Sequence, residues 1–216
     1  MVSTSSNNRN GTIYVDDSLF VNTFGNGSNA LTVYHDTITN NVSIRINTLI
    51  CSIGGFADSV IPESNTTYRE ATLEGIRSYW SGAYGDYNVS TYVHDLSGLS
   101  VLARMGTRSI TIDIYDGAGP CEWHYPRGTW SGTNPGYIML HSEHGDGRGL
   151  IPADEMAWLA AHEMGHALGF GPNAVDAQGN NARHLMGNQM DPLNAVLVRI
   201  LIHIHATGTR YEGIVY

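Results

Sequence analysis

The sequence predicts an α+β fold built on one large core. Three observations predict it. Residues 12–55 are strand-like, with short β-branched runs separated by Asn, Gly and Asp clusters. Three later segments repeat apolar residues at helical spacing. Further strand-like runs stand between the first of these helices and the second. The 216 residues show no internal repeat and no linker that would divide them.

Taken in order, residues 1–11 read as a flexible polar lead. Strands are expected at Thr12–Val15, Leu31–His35 and Val42–Ile46. A helix follows, with Asn65 or Thr66 as its cap and Glu70 near its first turn. Apolar residues recur through Tyr68, Ala71, Ile76 and Tyr79-Trp80, and the helix stops near Ser81-Gly82. Strands are expected again at Tyr87–His94 and Ser109–Tyr115. Gly117–Gly136, rich in Gly and Pro, reads as a long surface loop, and Tyr137–His141 as a strand. A second helix starts around Pro152, where Asp154 and Glu155 suit the positive end of the helix dipole. It stops at Gly169 or Gly171. A third helix runs from about Pro192 to Ala206, and His203 and His205 on it are expected to face the surface or a partner.

Composition excludes several function classes. All 11 basic residues are Arg, against 20 acids, for a formal charge of −9. No basic face is available for nucleic acid. The longest apolar run, Leu193–Ile204, is broken by Asn194, Arg199 and His203 and is too short to span a membrane. Polarity comes mainly from Asn, Ser, Thr, Gly and Tyr, which suits a secreted protein. The first ten residues lack the apolar stretch of a signal peptide, so either the protein is not exported or, the reading favoured here, the chain is a mature form with a start Met.

The chemistry is concentrated in His162-Glu163-Met164-Gly165-His166. Histidines four apart on a helix lie one turn apart on one face, so both imidazoles can reach one metal ion. Glu163, beside the first, is placed to act as general base toward a water. Zinc suits such a site, being redox-inert and a good Lewis acid.

The surrounding residues, Leu159-Ala-Ala-His-Glu-Met-Gly-His-Ala-Leu-Gly-Phe170, closely resemble the active-site helix of metzincin peptidases, in particular the matrixins. Gly169 falls on their turn-making glycine, and His184-Leu185-Met186-Gly187 resembles their Met-turn, with Met186 as its methionine. The resemblance is specific over about Asp154–Met186. It implies a metzincin-like mixed twisted sheet with an edge strand over the cleft, an active-site helix, a Met-turn and a C-terminal helix. Residues 12–216 would form one catalytic domain, with an upper part of about 12–170 and a lower part of about 171–216. It also implies a secreted zinc endopeptidase, with a peptide or protein as substrate lying along Tyr137–His141 as the edge strand.

One departure matters. Pro172 stands where the family has its third zinc ligand, and it has no donor side chain. His184 is favoured as the replacement and Asp176 is the alternative; a site completed in some other way is the third option. If Met190 rather than Met186 made the Met-turn, the spacing of His184 would be closer to the family's. Astacins and serralysins carry a Tyr two residues after the Met-turn methionine; Asn188 occupies that position here, so no Tyr role is implied.

Elsewhere, His141, His144 and Asp146 form a cluster in a region where matrixins hold structural zinc or calcium. It is read here first as a polar loop and second as a Ca2+ or second Zn2+ site. Cys51 and Cys121 are compatible with one disulfide in an oxidising compartment. Two other functional readings stand beside the peptidase. One is a non-catalytic metal-binding or interaction module, suggested by Pro172. The other is the proteolytic subunit of a multi-subunit toxin, docked on a carrier protein through the last helix.

Overall fold

The computed structural model describes residues 12–13, 30–105, 107–117, 127–129, 136–170, 185–186, 190 and 193–207. The fold is α+β: a curled mixed sheet with helices packed on one face. Its strands are β1 (Thr12–Ile13), β2 (Leu31–Asp36), β3 (Asn41–Ser52), β4 (Gly82–Tyr84), β5 (Tyr87–Asp95), β6 (Ile110–Tyr115), β7 (Arg127–Thr129) and β8 (Tyr137–His141). A 3-10 turn covers Ile53–Asp58. The helices are α1 (Tyr68–Tyr79), the single turn α2 (Val101–Arg104), α3 (Ala153–Ala167) and α4 (Ala195–Thr207). The expected polar lead lies outside the described residues.

The long strand β3 organises the sheet. Residues Asn41–Ile46 pair antiparallel with β2 on one side, and Asn41–Thr48 pair parallel with β5 on the other. Past the end of β2, Thr48–Ser52 pair parallel with β6, so β2 and β6 follow one another along the same side of β3. Beyond β6 come β8, parallel, and β7, antiparallel. Among the described residues the outermost strand on this side is therefore Arg127–Thr129, which corrects the expectation that Tyr137–His141 is the edge. Arg127-Gly128-Thr129 has no polar/apolar alternation to announce a strand; pairing with Tyr137–Met139 makes it one.

The pleat sends alternate residues to the helix-covered face. Val42, Ile44, Ile46, Thr48 and Ile50 of β3 are buried there, with Ile110, Ile112 and Ile114 of β6 and Ile138 and Leu140 of β8. Helix α1 is capped one residue after Thr66 and two after Asn65, the expected caps. Its cap is Thr67, whose hydroxyl accepts from the Glu70 N–H (3.2 Å) while the Glu70 carboxylate accepts from the Thr67 N–H (2.9 Å). Helices α1 and α3 touch backbone to backbone. A Cβ at Gly75 would overlap the Ala157 carbonyl oxygen and stand 2.6 Å from its carbon. At the end of α1 the fully buried Trp80 donates its indole N–H to the Ala161 carbonyl (2.9 Å), which fixes the height of α3 beside it.

Helix α4 starts after Asn194, whose side-chain oxygen accepts from the Leu197 N–H (2.9 Å), rather than at Pro192. Leu197, Val198, Leu201, Ile204 and His205 form its buried stripe, while His203 is exposed. The expectation of a surface position therefore fails for His205: positions 197, 201 and 205 fall one turn apart on the apolar face. Burial pushes its pKa down to about 3, and the Leu168 carbonyl only partly opposes this. Among the described residues no helix is long and apolar enough to cross a membrane.

Candidate metal centre

Helix α3 carries His162, Glu163 and His166. Its first turn holds Asp154 and Glu155 next to the unpaired N–H groups. Around the motif nearly every side chain is buried; His162 and His166 are the half-open exceptions. Their rings lie 4.9 Å apart, centroid to centroid, and cross at 86°. Glu163 is buried to 6% exposure beside them.

Each imidazole is oriented by a main-chain carbonyl. His162 Nδ1 lies 2.8 Å from the Leu185 oxygen, and His166 Nδ1 lies 3.1 Å from the Phe170 oxygen. A carbonyl only accepts, so Nδ1 is the protonated nitrogen in both rings. In the neutral tautomer this leaves a lone pair on each Nε2, the form a metal ion needs. The two rings thus fit a zinc site, with the hydrogen-bonded outer contacts such ligands normally have.

Local folding explains both carbonyls. Helix α3 ends in a Schellman turn: Gly169 N–H donates to the His166 oxygen and Phe170 N–H to the Gly165 oxygen, both at 3.1 Å. The turn requires the positive φ of Gly169, +109°, a region that favours glycine. It folds the chain back so that the Phe170 carbonyl meets the His166 ring, and the Phe170 side chain is buried against Trp80 at 5.9 Å. Leu185 and Met186 form a buried turn beneath the motif. Met186 fits because position 165 has no side chain: a Cβ there would overlap its sulfur. Met190, the other methionine considered for this place, is 45% exposed.

The structure brings His162, Glu163, His166 and Met186 together. His184, Asp176, Pro172 and Asn188 lie outside the described residues, and among the described residues no group of three His, Cys, Asp or Glu stands ready to hold a metal. The cluster after β8 divides in two. His141 is buried and stacked on Tyr115 (5.5 Å, 29°). His144 and Asp146 are joined through Arg148, which donates to His144 Nδ1 (3.1 Å) and to the Asp146 carboxylate (2.7 Å). His144 Nε2 faces Glu155 at 3.5 Å. Arg148 holds the Asp146 carboxyl below its ordinary pKa. Cys51 is a free, half-buried thiol, its pKa raised by burial and by Asp113 beside it, and Cys121 lies outside the described residues.

Sequence reasoning missed the supports of the site: the Leu185 and Phe170 carbonyls, Gly165 under Met186, and Trp158, whose ring lies 5.2 Å from that of His162. Only Trp158 left a sequence signal, standing one turn before His162 on the same face. No family model matches the chain, and no curated protein or solved structure matches it either.

Proposed function

We propose that the chain is a secreted zinc-dependent endopeptidase of the metzincin type. One observation carries the reading: a main-chain carbonyl holds Nδ1 of both His162 and His166, leaving two Nε2 lone pairs on one helix face beside a buried carboxylate. The element order supports it as well. Strands lead into a helix ending in Tyr79-Trp80; more strands follow with an antiparallel edge, then the motif helix, the Met186 turn and a last helix.

His162 and His166 would hold the zinc ion through Nε2, with His184 as the proposed third ligand. Bound zinc supplies Lewis acidity toward the scissile carbonyl and the attacking water. The Glu163 carboxylate takes the proton of that water and returns it to the departing amine. Its burial keeps bulk water from competing and strengthens its interaction with nearby charge. An extended peptide would add to the outer side of β7 and run past the half-open face of His162 and His166.

The test is Glu163→Gln in a peptide-digestion assay with and without chelator, alongside a zinc assay of the purified protein. The expected result is retained zinc with activity reduced by at least about 100-fold, as for loss of a general base. Undiminished activity in that variant, or native activity indifferent to chelation, overturns the reading.

A further inference from the structure

We infer that Trp158 is a positioning residue for His162, setting the plane of the imidazole in the metal site; this rests on the reading of His162 as a ligand. Trp158, His162 and His166 follow one another at successive helical turns of α3. The three rings form a continuous contact. Trp158 and His162 lie 5.2 Å apart at 40°, and His162 and His166 lie 4.9 Å apart at 86°.

The hydrogen bond from His162 Nδ1 to Leu185 fixes one direction of the ring. Taken alone, that bond permits rotation about itself, which would swing Nε2 away from a shared metal ion. An aromatic neighbour packed beside the ring, tilted by 40°, limits that freedom. Trp158 is such a neighbour and is 8% exposed, so it is itself held by packing.

The indole is also an expensive choice for this position. Its N–H is buried and meets no acceptor among the described residues, whereas the N–H of Trp80, on α1, reaches the Ala161 carbonyl. An unsatisfied buried donor costs about 1–3 kcal/mol. Leu or Phe would fill apolar space without that penalty. What the indole adds over Leu is a broad flat face toward His162, and Phe retains part of that face.

The experiment compares native protein with Trp158→Leu and Trp158→Phe. Zinc affinity is read by competition with a chromophoric chelator, and thermal melting of the metal-free proteins checks the fold. Trp158→Leu should melt near the native temperature and bind zinc about 10-fold more weakly or worse, the usual effect of losing a group that orients a ligand. Trp158→Phe should stay within about threefold of native, since a flat ring remains. A folded Trp158→Leu protein with native zinc affinity overturns the positioning role alone. Native protein that binds no zinc overturns the metal reading and this role with it. Should Trp158→Leu fail to fold, NMR of the metal-free native and Trp158→Phe proteins decides. Ring protons of His162 displaced upfield by the neighbouring aromatic ring in both support the tilted ring contact, and undisplaced protons in the native protein overturn it.

Discussion

Met186 lies directly on Gly165, its thioether against the backbone of the helix that carries the two histidines. Gly165→Ala should therefore disturb the site more than the fold. The atoms a new methyl would meet first are the sulfur and terminal carbon of Met186, the movable end of a flexible chain; the Trp80 ring is 3.1 Å away. Ala also gains about 1 kcal/mol in helix propensity over Gly. The expected outcome is a melting temperature within about 5 °C of native, together with weaker zinc binding, because displacing Met186 drags the adjoining Leu185 carbonyl off His162. Calorimetry and chelator competition read the two effects separately.

Gly75→Ala makes the opposite case. Its new methyl would overlap the Ala157 carbonyl oxygen, and both partners are helix backbone that cannot turn aside. Helices α1 and α3 would have to separate, opening the packing around Ile76, Trp80 and Ala161. A loss of about 3 kcal/mol is expected from overpacking at such a contact, measurable by urea denaturation. A variant as stable as native would show that the two backbones do not touch.

Much of this arrangement was legible in the residues. Alternation in Tyr87–His94 and Ser109–Tyr115 places β5 and β6 to within one residue, Tyr137–His141 reads as the strand β8, and the motif face follows from the spacing of His162 and His166. Three features were not, each for a physical reason. Thr67 is one of three consecutive residues able to cap α1, and only its reciprocal bonds with Glu70 decide among them. Strand β7 depends on a partner strand and has no pattern of its own. The carbonyls that orient the imidazoles belong to Leu185 and Phe170, whose side chains say nothing about where their main chain points.

The proposed third zinc ligand is open to a direct experiment. Pro172 cannot donate, so His184→Ala should lose zinc at micromolar concentrations while Asp176→Ala keeps it, as read by metal analysis after gel filtration. On the proposed reading, loss of one protein ligand from a site of three removes most of its affinity for zinc. The reverse pattern would assign the role to Asp176, and retention in both variants would require another donor.

The burial of His205 predicts sensitivity to mild acid. Its pKa in the folded state is about 3, because full burial on the apolar face of α4 disfavours the charged ring. An unfolded chain binds the proton near pH 6.5. Unfolded molecules therefore gain protons first as pH falls, and stability is lost from about pH 6.5 down toward pH 3, by up to about 1.4 kcal/mol per pH unit for this one group. The carboxylates held low by hydrogen bonds, Asp36, Asp58, Glu70 and Asp146, destabilise in the same direction but at lower pH, as they protonate. Between pH 6.5 and 4.5 those carboxylates contribute little, and the difference between native and variant profiles separates His205 from the other histidines. His205→Leu should flatten the urea-midpoint profile across that interval while leaving the steeper loss below pH 4 in place. A variant profile parallel to the native one between pH 6.5 and 4.5 would show that His205 is not what the acid attacks.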